Sequence, residues 1–240
     1  MPLQTVEKRS LPDAVFEQLT GEILARAYPA GAAIPSEREL SEVLGVNRHV
    51  VREAVKRLEQ VGLVKGTQGG RTVVLDYRRT AGLDLLALVA ERTEPNETLV
   101  PLLAAAIEMR AGIGSDLARL CAERADSAVR EQLIELAGRL AEPSLDAEAL
   151  LELDQSFWQA MLDGAGNLAY QLAFNSLIRA VHAQRQLSVP WLEEELARSG
   201  HRMPIAQAIA AGDAEGAAAA ARDALTPNGP VTTVPGALPR

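Results

Sequence analysis

Arg48, His49, Arg52 and Lys56 fall within one short stretch of sequence, and Arg48 and Arg52 stand four residues apart. On a helix that spacing puts both guanidinium groups on one face. From there they can reach guanine O6 and N7, or phosphate oxygens. Chemistry of this kind needs a rigid helix offered to a groove rather than a catalytic pocket. The preceding residues, Pro35-Ser36-Glu37-Arg38-Glu39-Leu40-Ser41-Glu42-Val43-Leu44-Gly45, are suited to hold such a helix in place. They place a further arginine, Arg38, near the start of the helix that braces it.

The bracing helix has its own punctuation. Ser36 with Glu39 three residues on is a capping box, and Glu37 favours the positive helix end. Leu40, Val43 and Leu44 form the expected buried stripe, and Gly45 ends the helix in a sharp turn. Asn47 caps the next helix, expected to run to about Gln60 with Val50, Ala54, Val55 and Leu58 inward. An earlier helix is expected over Leu11–Ala27, with Leu11, Val15, Leu19, Ile23 and Leu24 on its apolar face. After Gly62, Leu63-Val64 and Thr72-Val73-Val74 flank the glycine-rich Gly66–Arg71 and predict a hairpin. A helix pair followed by a hairpin is a winged helix-turn-helix, a device for docking a helix in the DNA major groove.

The whole chain of 240 residues has a formal net charge of -8, which argues superficially against nucleic acid. The distribution reverses that conclusion. Residues 1–76 carry ten Lys/Arg and ten Asp/Glu, so the surplus of acid lies wholly in residues 77–240. The first part is free to present a basic face. One cysteine, Cys121, excludes an internal disulfide framework and fits a reducing cytoplasm. No apolar run approaches a membrane span, and no signal-like apolar core opens the chain. The expected setting is therefore cytoplasmic, with no membrane partner.

Beyond residue 76 the pattern is almost wholly helical, giving a mainly α fold. Helices are predicted over 81–91, 98–125, 127–141, 146–163, 167–187, 190–199, 201–211 and 213–225. The expected organisation is a winged domain at 1–76, a linker and linking helix at 77–90, and a helical effector and dimerisation bundle at 91–225. The Pro/Gly/Thr-rich tail at 226–240 predicts disorder. A single winged module binds one half-site weakly, so a homodimer on a near-palindromic duplex is expected. Asp154, His201 and Cys121 could suggest catalysis, but no nucleophile motif or phosphate loop connects them. An enzyme is not expected.

Residues 35–41, Gly45-Val46-Asn47-Arg48, Val51-Arg52-Glu53-Ala54, Leu58 and Gly62-Leu63 with the hairpin resemble the DNA-binding domain of the GntR family of bacterial transcription regulators. The resemblance implies DNA contacts from Arg38, Asn47, Arg48, His49, Arg52 and Lys56. It also implies that the wing tip, Thr67, Gln68 and Gly69, enters the minor groove; Gln68 stands where histidine is common. Lys56, Arg57, Lys65 and Arg71 would be peripheral phosphate contacts.

The C-terminal part is similar to the helical effector domain of the FadR subfamily, through Glu108-Met109-Arg110, Leu153-Asp154, Phe157, Gly166-Asn167 and Gly212-Asp213. That branch implies a divalent metal held by an aspartate, a histidine four residues later and two further histidines. Here Asp154 and His201 match two positions, but Trp158 and Ala224 occupy the others. Neither can ligate, so no metal and no cofactor are expected, and His201 becomes a candidate helix cap. An aromatic lining in place of ligands instead resembles the metal-lacking, acyl-CoA-responsive type. The resemblance implies an effector site drawing on Arg110, Asp154, Phe157, Trp158, Arg179, Arg185 and His201. It further implies a regulator of fatty acid metabolism genes that long-chain acyl-CoA releases from its operator. A small organic or sugar acid is the alternative effector, and Trp158 could equally fill the cavity as core.

Overall fold

The computed structural model describes residues 10–92, 99–142, 145–184, 192–197 and 202–226. The chain divides between Leu85 and Leu86 into two compact units. The first is built from α1 (Leu11–Leu24), α2 (Glu37–Leu44), α3 (Arg48–Gln60), β1 (Val64–Gly66), β2 (Thr72–Val74) and α4 (Tyr77–Thr80). Helix α5 (Asp84–Arg92) begins at the division. The second unit continues with α6 (Leu99–Arg124), α7 (Ser127–Leu140), α8 (Ala147–Ala165), α9 (Leu168–Ala183), α10 (Met203–Ala211) and α11 (Ala214–Leu225), and residues 192–197 are also helical. The chain is mainly α-helical, with an N-terminal helix-turn-helix region and a C-terminal helical bundle.

Local chemistry explains the helix ends in the first unit. Ser36 Oγ accepts from the Glu39 amide while the Glu39 carboxylate accepts from the Ser36 amide, a complete capping box. Gly45 closes α2 with a left-handed φ of 64°, and Asn47 Oδ1 accepts from the Val50 amide to open α3. The turn between the two helices is therefore specified on both sides. Helix α3 buries Val50, Val51, Ala54, Val55 and Leu58, and it packs against α1 and α2. Strands β1 and β2 pair antiparallel in the register Val64↔Val74, Lys65↔Val73 and Gly66↔Thr72. Ala33 bridges Val73 from the other side, a strand-like contact that its small residues did not signal.

Gly62 shows why one glycine cannot be replaced. Its φ is +73°, and a Cβ there would lie 2.5 Å from the Thr80 carbonyl oxygen. The close approach lets Thr80 Oγ1 donate to the Gly62 carbonyl at 2.7 Å, fastening α4 to the end of α3.

Several expectations need correction. Helix α1 ends at Leu24, and Leu11 at its start is exposed. On α2, Leu40 is buried, Leu44 is half-buried, but Val43 is 82% exposed. A two-turn helix resting on α3 covers a narrower stripe than its spacing suggests. The helix predicted over 81–91 is interrupted. Ala81 is extended, α4 lies before it and α5 starts at Asp84. The predicted helix at 190–199 is described only over 192–197, and the tail from residue 227 lies outside the described residues.

In the bundle, α6 is the central element, in contact with α8, α10 and α11, while α7 packs on α8 and α10. The core joins Leu117, Cys121, Leu133, Phe157, Met161, Ile205, Ile209 and Leu225. Burial pushes the Cys121 thiol up to about 12, which leaves it a packed apolar group rather than a nucleophile. Helix α9 rests on α6 and α8 differently. It buries Ser176 and Ala180 and leaves Leu168 and Leu172 exposed. Among the described residues, no helix is long and apolar enough to cross a membrane.

Candidate nucleic-acid interface and effector pocket

The second helix of the helix-turn-helix exposes Arg48, His49, Arg52 and Lys56 along the side opposite its buried stripe. These basic groups are not all equally available. Glu37 on α2 grips Arg52: Nη2 donates to Oε2 at 2.9 Å and Nε to the same carboxylate at 3.2 and 3.3 Å. That bond holds the Arg52 guanidinium above its ordinary pKa. Arg38 Nη1 donates to Glu42 at 2.9 Å and Lys56 Nζ to Glu53 at 3.1 Å. Arg48 forms no ion pair with any described residue. Asn47 is exposed, but its side-chain oxygen is committed to capping α3.

The wing tip is ordered by its own backbone. The Thr67 amide donates to the Arg71 carbonyl at 2.8 Å, and the Gly70 amide donates to the Thr67 carbonyl at 3.1 Å. Gly69 and Gly70 take φ values of 112° and 78°, which side-chain-bearing residues avoid. Gln68, Gly69 and Arg71 are exposed and Thr67 is half-buried. At the wing's base Glu59 of α3 accepts from the Gly66 amide at 2.7 Å, tying hairpin to helix. Arg57, expected among peripheral phosphate contacts, is instead paired with Asp13, joining α3 to α1.

The bundle contains a second polar constellation, and it is buried. Arg110 of α6 donates from Nη1 and Nη2 to the two oxygens of Glu195, at 2.6 and 3.1 Å. Arg202, the N-cap residue of α10, donates from Nε to Asp154 of α8 at 2.9 Å and from Nη2 to Glu195. The guanidinium carbons of Arg110 and Arg202 lie 5.2 and 5.3 Å from the Trp158 ring centroid, and Phe157 meets that ring edge-on. Burial alone would raise the Glu195 pKa, but Arg110 and Arg202 outweigh it and hold the carboxyl below its ordinary range.

Two small cavities flank this cluster, of about 70 and 40 Å³. They share Arg110, Trp158, Phe174 and Leu177, and the remaining lining is mostly aliphatic, with Asp154, Gln155 and Tyr170 as its polar members. A larger surface hollow of about 460 Å³ lies between α6 and α11, lined by Ser115, Asp116, Arg119, Glu215 and Arg222 among others. Its arginines are already engaged: Arg119 with Asp116 and Glu123, and Arg222 with Ser115.

Comparison with known proteins decides the class. Residues 11–74 match the family model "Bacterial regulatory proteins, gntR family", and residues 105–226 match the FCD domain. The chain belongs to the GntR family. It is 36% identical over 225 residues to the HTH-type transcriptional regulator Mce2R of Mycobacterium tuberculosis, covering 94% of this chain and 92% of that protein. It is 30% identical to the fatty acid metabolism regulator protein of Erwinia tasmaniensis over 161 residues, 67% of this chain and 65% of that one. Among solved structures, Streptococcus agalactiae GntR aligns with a TM-score of 0.44 and 24% identity, covering 89% of this chain and 96% of that one. This GntR-family chain is thus a DNA-binding regulator with an FCD effector domain.

Of the residues expected at the effector site, Arg110, Asp154, Phe157 and Trp158 come together. Arg179 is exposed on α9 and lines neither cavity, which removes it from the pocket wall. Arg185 and His201 lie outside the described residues. The capping role expected of His201 falls to Arg202, which makes no side-chain cap bond. The expectation missed Glu195 and Arg202 altogether, although both are nearly inaccessible, at 2% and 0% exposure. Nothing in their local sequence distinguishes them from solvated charges. Among the described residues no group of three or more His, Cys, Asp or Glu could hold a metal ion. Asp154 pairs with the cationic guanidinium groups of Arg110 and Arg202.

Proposed function

We propose that this regulator binds a near-palindromic operator as a homodimer and controls fatty acid metabolism genes, with an acyl-CoA as the ligand that releases DNA. Arg48, Arg52 and Arg38 read or clamp the duplex, with His49, Lys56 and Asn47 beside them. Thr67, Gln68, Gly69 and Arg71 carry the wing to the adjacent groove. Residues 1–76 act as the reader, 77–90 as the link and 91–225 as the effector and dimerisation domain.

The observation that carries the acyl reading is the pair of largely apolar cavities meeting at Trp158 and Arg110. An apolar chain suits that lining, whereas a sugar acid would leave its hydroxyls unpaired there. The partial likeness to the fatty acid metabolism regulator points the same way. Cavities of this size are far below the ~300 Å³ or more of an ordinary ligand pocket. Binding therefore requires α9, with its sparse buried contacts, to move outward from α6 and α8. The ligand acts by favouring the widened bundle, and it weakens DNA binding by the same factor by which DNA weakens ligand binding.

The test is a titration of operator-bound protein with long-chain acyl-CoA, read by DNA anisotropy and melting temperature together. Release of DNA with a rise in melting temperature is expected. No change in either, set against release by a small organic acid, would move the assignment to the alternative effector.

A further inference from the structure

The surface hollow between α6 and α11 shares no lining residue with the cavities beside Trp158. Its volume of about 460 Å³ lies in the range of an ordinary small-molecule site. Two of the charges around it are matched. Arg119 is paired with Asp116 and Glu123, and the other oxygen of Asp116 accepts from the Tyr170 hydroxyl at 2.8 Å. The two charges on α11 are not. The Arg222 guanidinium meets only the neutral Ser115 hydroxyl, at 3.2 Å, and the Glu215 carboxylate has no ion-pair or hydrogen-bond partner among the described residues.

The floor of the hollow is kept clear by small residues, Ala111, Gly112 and Ala218. Gly112 lies inside α6, where glycine weakens a helix relative to alanine. Elsewhere in the bundle close packing explains such a residue: a Cβ on Gly114 would strike Leu225, and one on Gly164 would lie 2.7 Å from the Cys121 sulfur. A Cβ on Gly112 would meet nothing within 4 Å. Its missing side chain leaves open space and serves no neighbour. Glu215 and Arg222 stand seven residues apart on α11, about 10 Å along its axis. An extended tripeptide spans the same length, at about 3.4 Å per residue. We propose that the hollow binds a short zwitterionic peptide of small residues, its terminal ammonium at Glu215 and its terminal carboxylate at Arg222. Such a ligand answers both unmatched charges together, whereas a simple anion or cation answers one. The site is independent of the acyl reading above.

The test is calorimetric titration of the full-length protein with trialanine, N-acetyl-trialanine and trialanine amide at neutral pH. Trialanine is expected to bind about fivefold more tightly than either blocked form. Glu215→Gln is expected to abolish its advantage over the N-acetyl form and to leave its advantage over the amide. Arg222→Gln is expected to do the reverse. Both side chains are exposed, so neither substitution disturbs the core. Gly112→Leu fills the hollow without removing a charge, and binding is expected to disappear while melting temperature does not fall. Should Gly112→Leu fail to fold, the crossed pattern of the two charge variants decides alone. Trialanine that does not bind the parent protein, or binds no better than its blocked forms, overturns the proposal. So does binding that survives Gly112→Leu unchanged. A change of oligomeric state in Gly112→Leu, read by analytical ultracentrifugation, would make the hollow an interface between two copies of the chain and overturn the ligand reading.

Discussion

The same chemistry, arginine against carboxylate, is used in opposite ways in the two units. In the reader, Arg52 and Glu37 retain 55% and 36% side-chain exposure; in the bundle, Arg202 and Glu195 retain 0% and 2%. Water screens the first pair and can replace either partner, so Glu37 can give up Arg52 to a phosphate or guanine at little loss. The second pair has no such exchange available. Removing one member strands the other in a medium that solvates it poorly. The exposed ion pair is thus exchangeable, and the buried one is fixed.

The buried side of the comparison should yield the largest effect. Arg202→Leu takes from Asp154 and Glu195 the fully buried guanidinium they share, and a loss of about 3–5 kcal/mol in unfolding free energy is expected. Chemical denaturation followed by circular dichroism measures it; a loss near zero would show that the cluster is dispensable packing. On the exposed side, Arg48→Ala and Arg52→Ala should each weaken operator binding by about ten- to a hundredfold. Their helical spectra should match the parent. Equal losses on operator and scrambled duplex would reassign these arginines to phosphate contacts.

A smaller effect follows from the Glu195 carboxyl, held below its ordinary pKa of 4.5. A carboxyl whose folded value is depressed contributes its stabilisation above the unfolded value and loses it as pH falls through the folded value. Melting temperature should therefore fall on acidification below about pH 4.5, and Glu195→Gln should flatten that part of the profile. An unchanged profile in the variant would assign the acid loss to other carboxyls. The smallest expected change is Glu37→Gln. It should leave melting temperature unaltered yet raise affinity for scrambled DNA, because one acidic group is removed from the reading face. Selectivity should fall, since Arg52 loses its tether. A variant with unimpaired selectivity would show that Glu37 does not position Arg52.

The difference between the units also explains what was readable from sequence. In the reader, the decisive interactions are local. Ser36 to Glu39, Asn47 to Val50 and the turn at Gly45 lie within a few residues, so residue type and spacing announce them. Val43 departs from its pattern because periodicity says which residues share a face, not how much of it a neighbour covers. In the bundle, helix order follows apolar periodicity, yet Arg110, Asp154, Glu195 and Arg202 come from distant parts of the chain. Arginine and glutamate are surface residues by default. Their burial depends on meeting one another, which no short window of sequence contains. Trp158 stands out in the sequence where the related branch has a ligand, but its place as a ring between two guanidinium groups depends on the fold.

The most direct test of the central claim is selection of duplexes from a random pool by the full-length protein, followed by affinity measurement over a range of salt concentrations for parent and Arg48→Ala. The account predicts a near-palindromic selected sequence, a linear fall of log affinity with log salt, and loss of preference for the selected sequence in the variant. A selected pool without two-fold symmetry, or a variant that keeps the full preference, would contradict it.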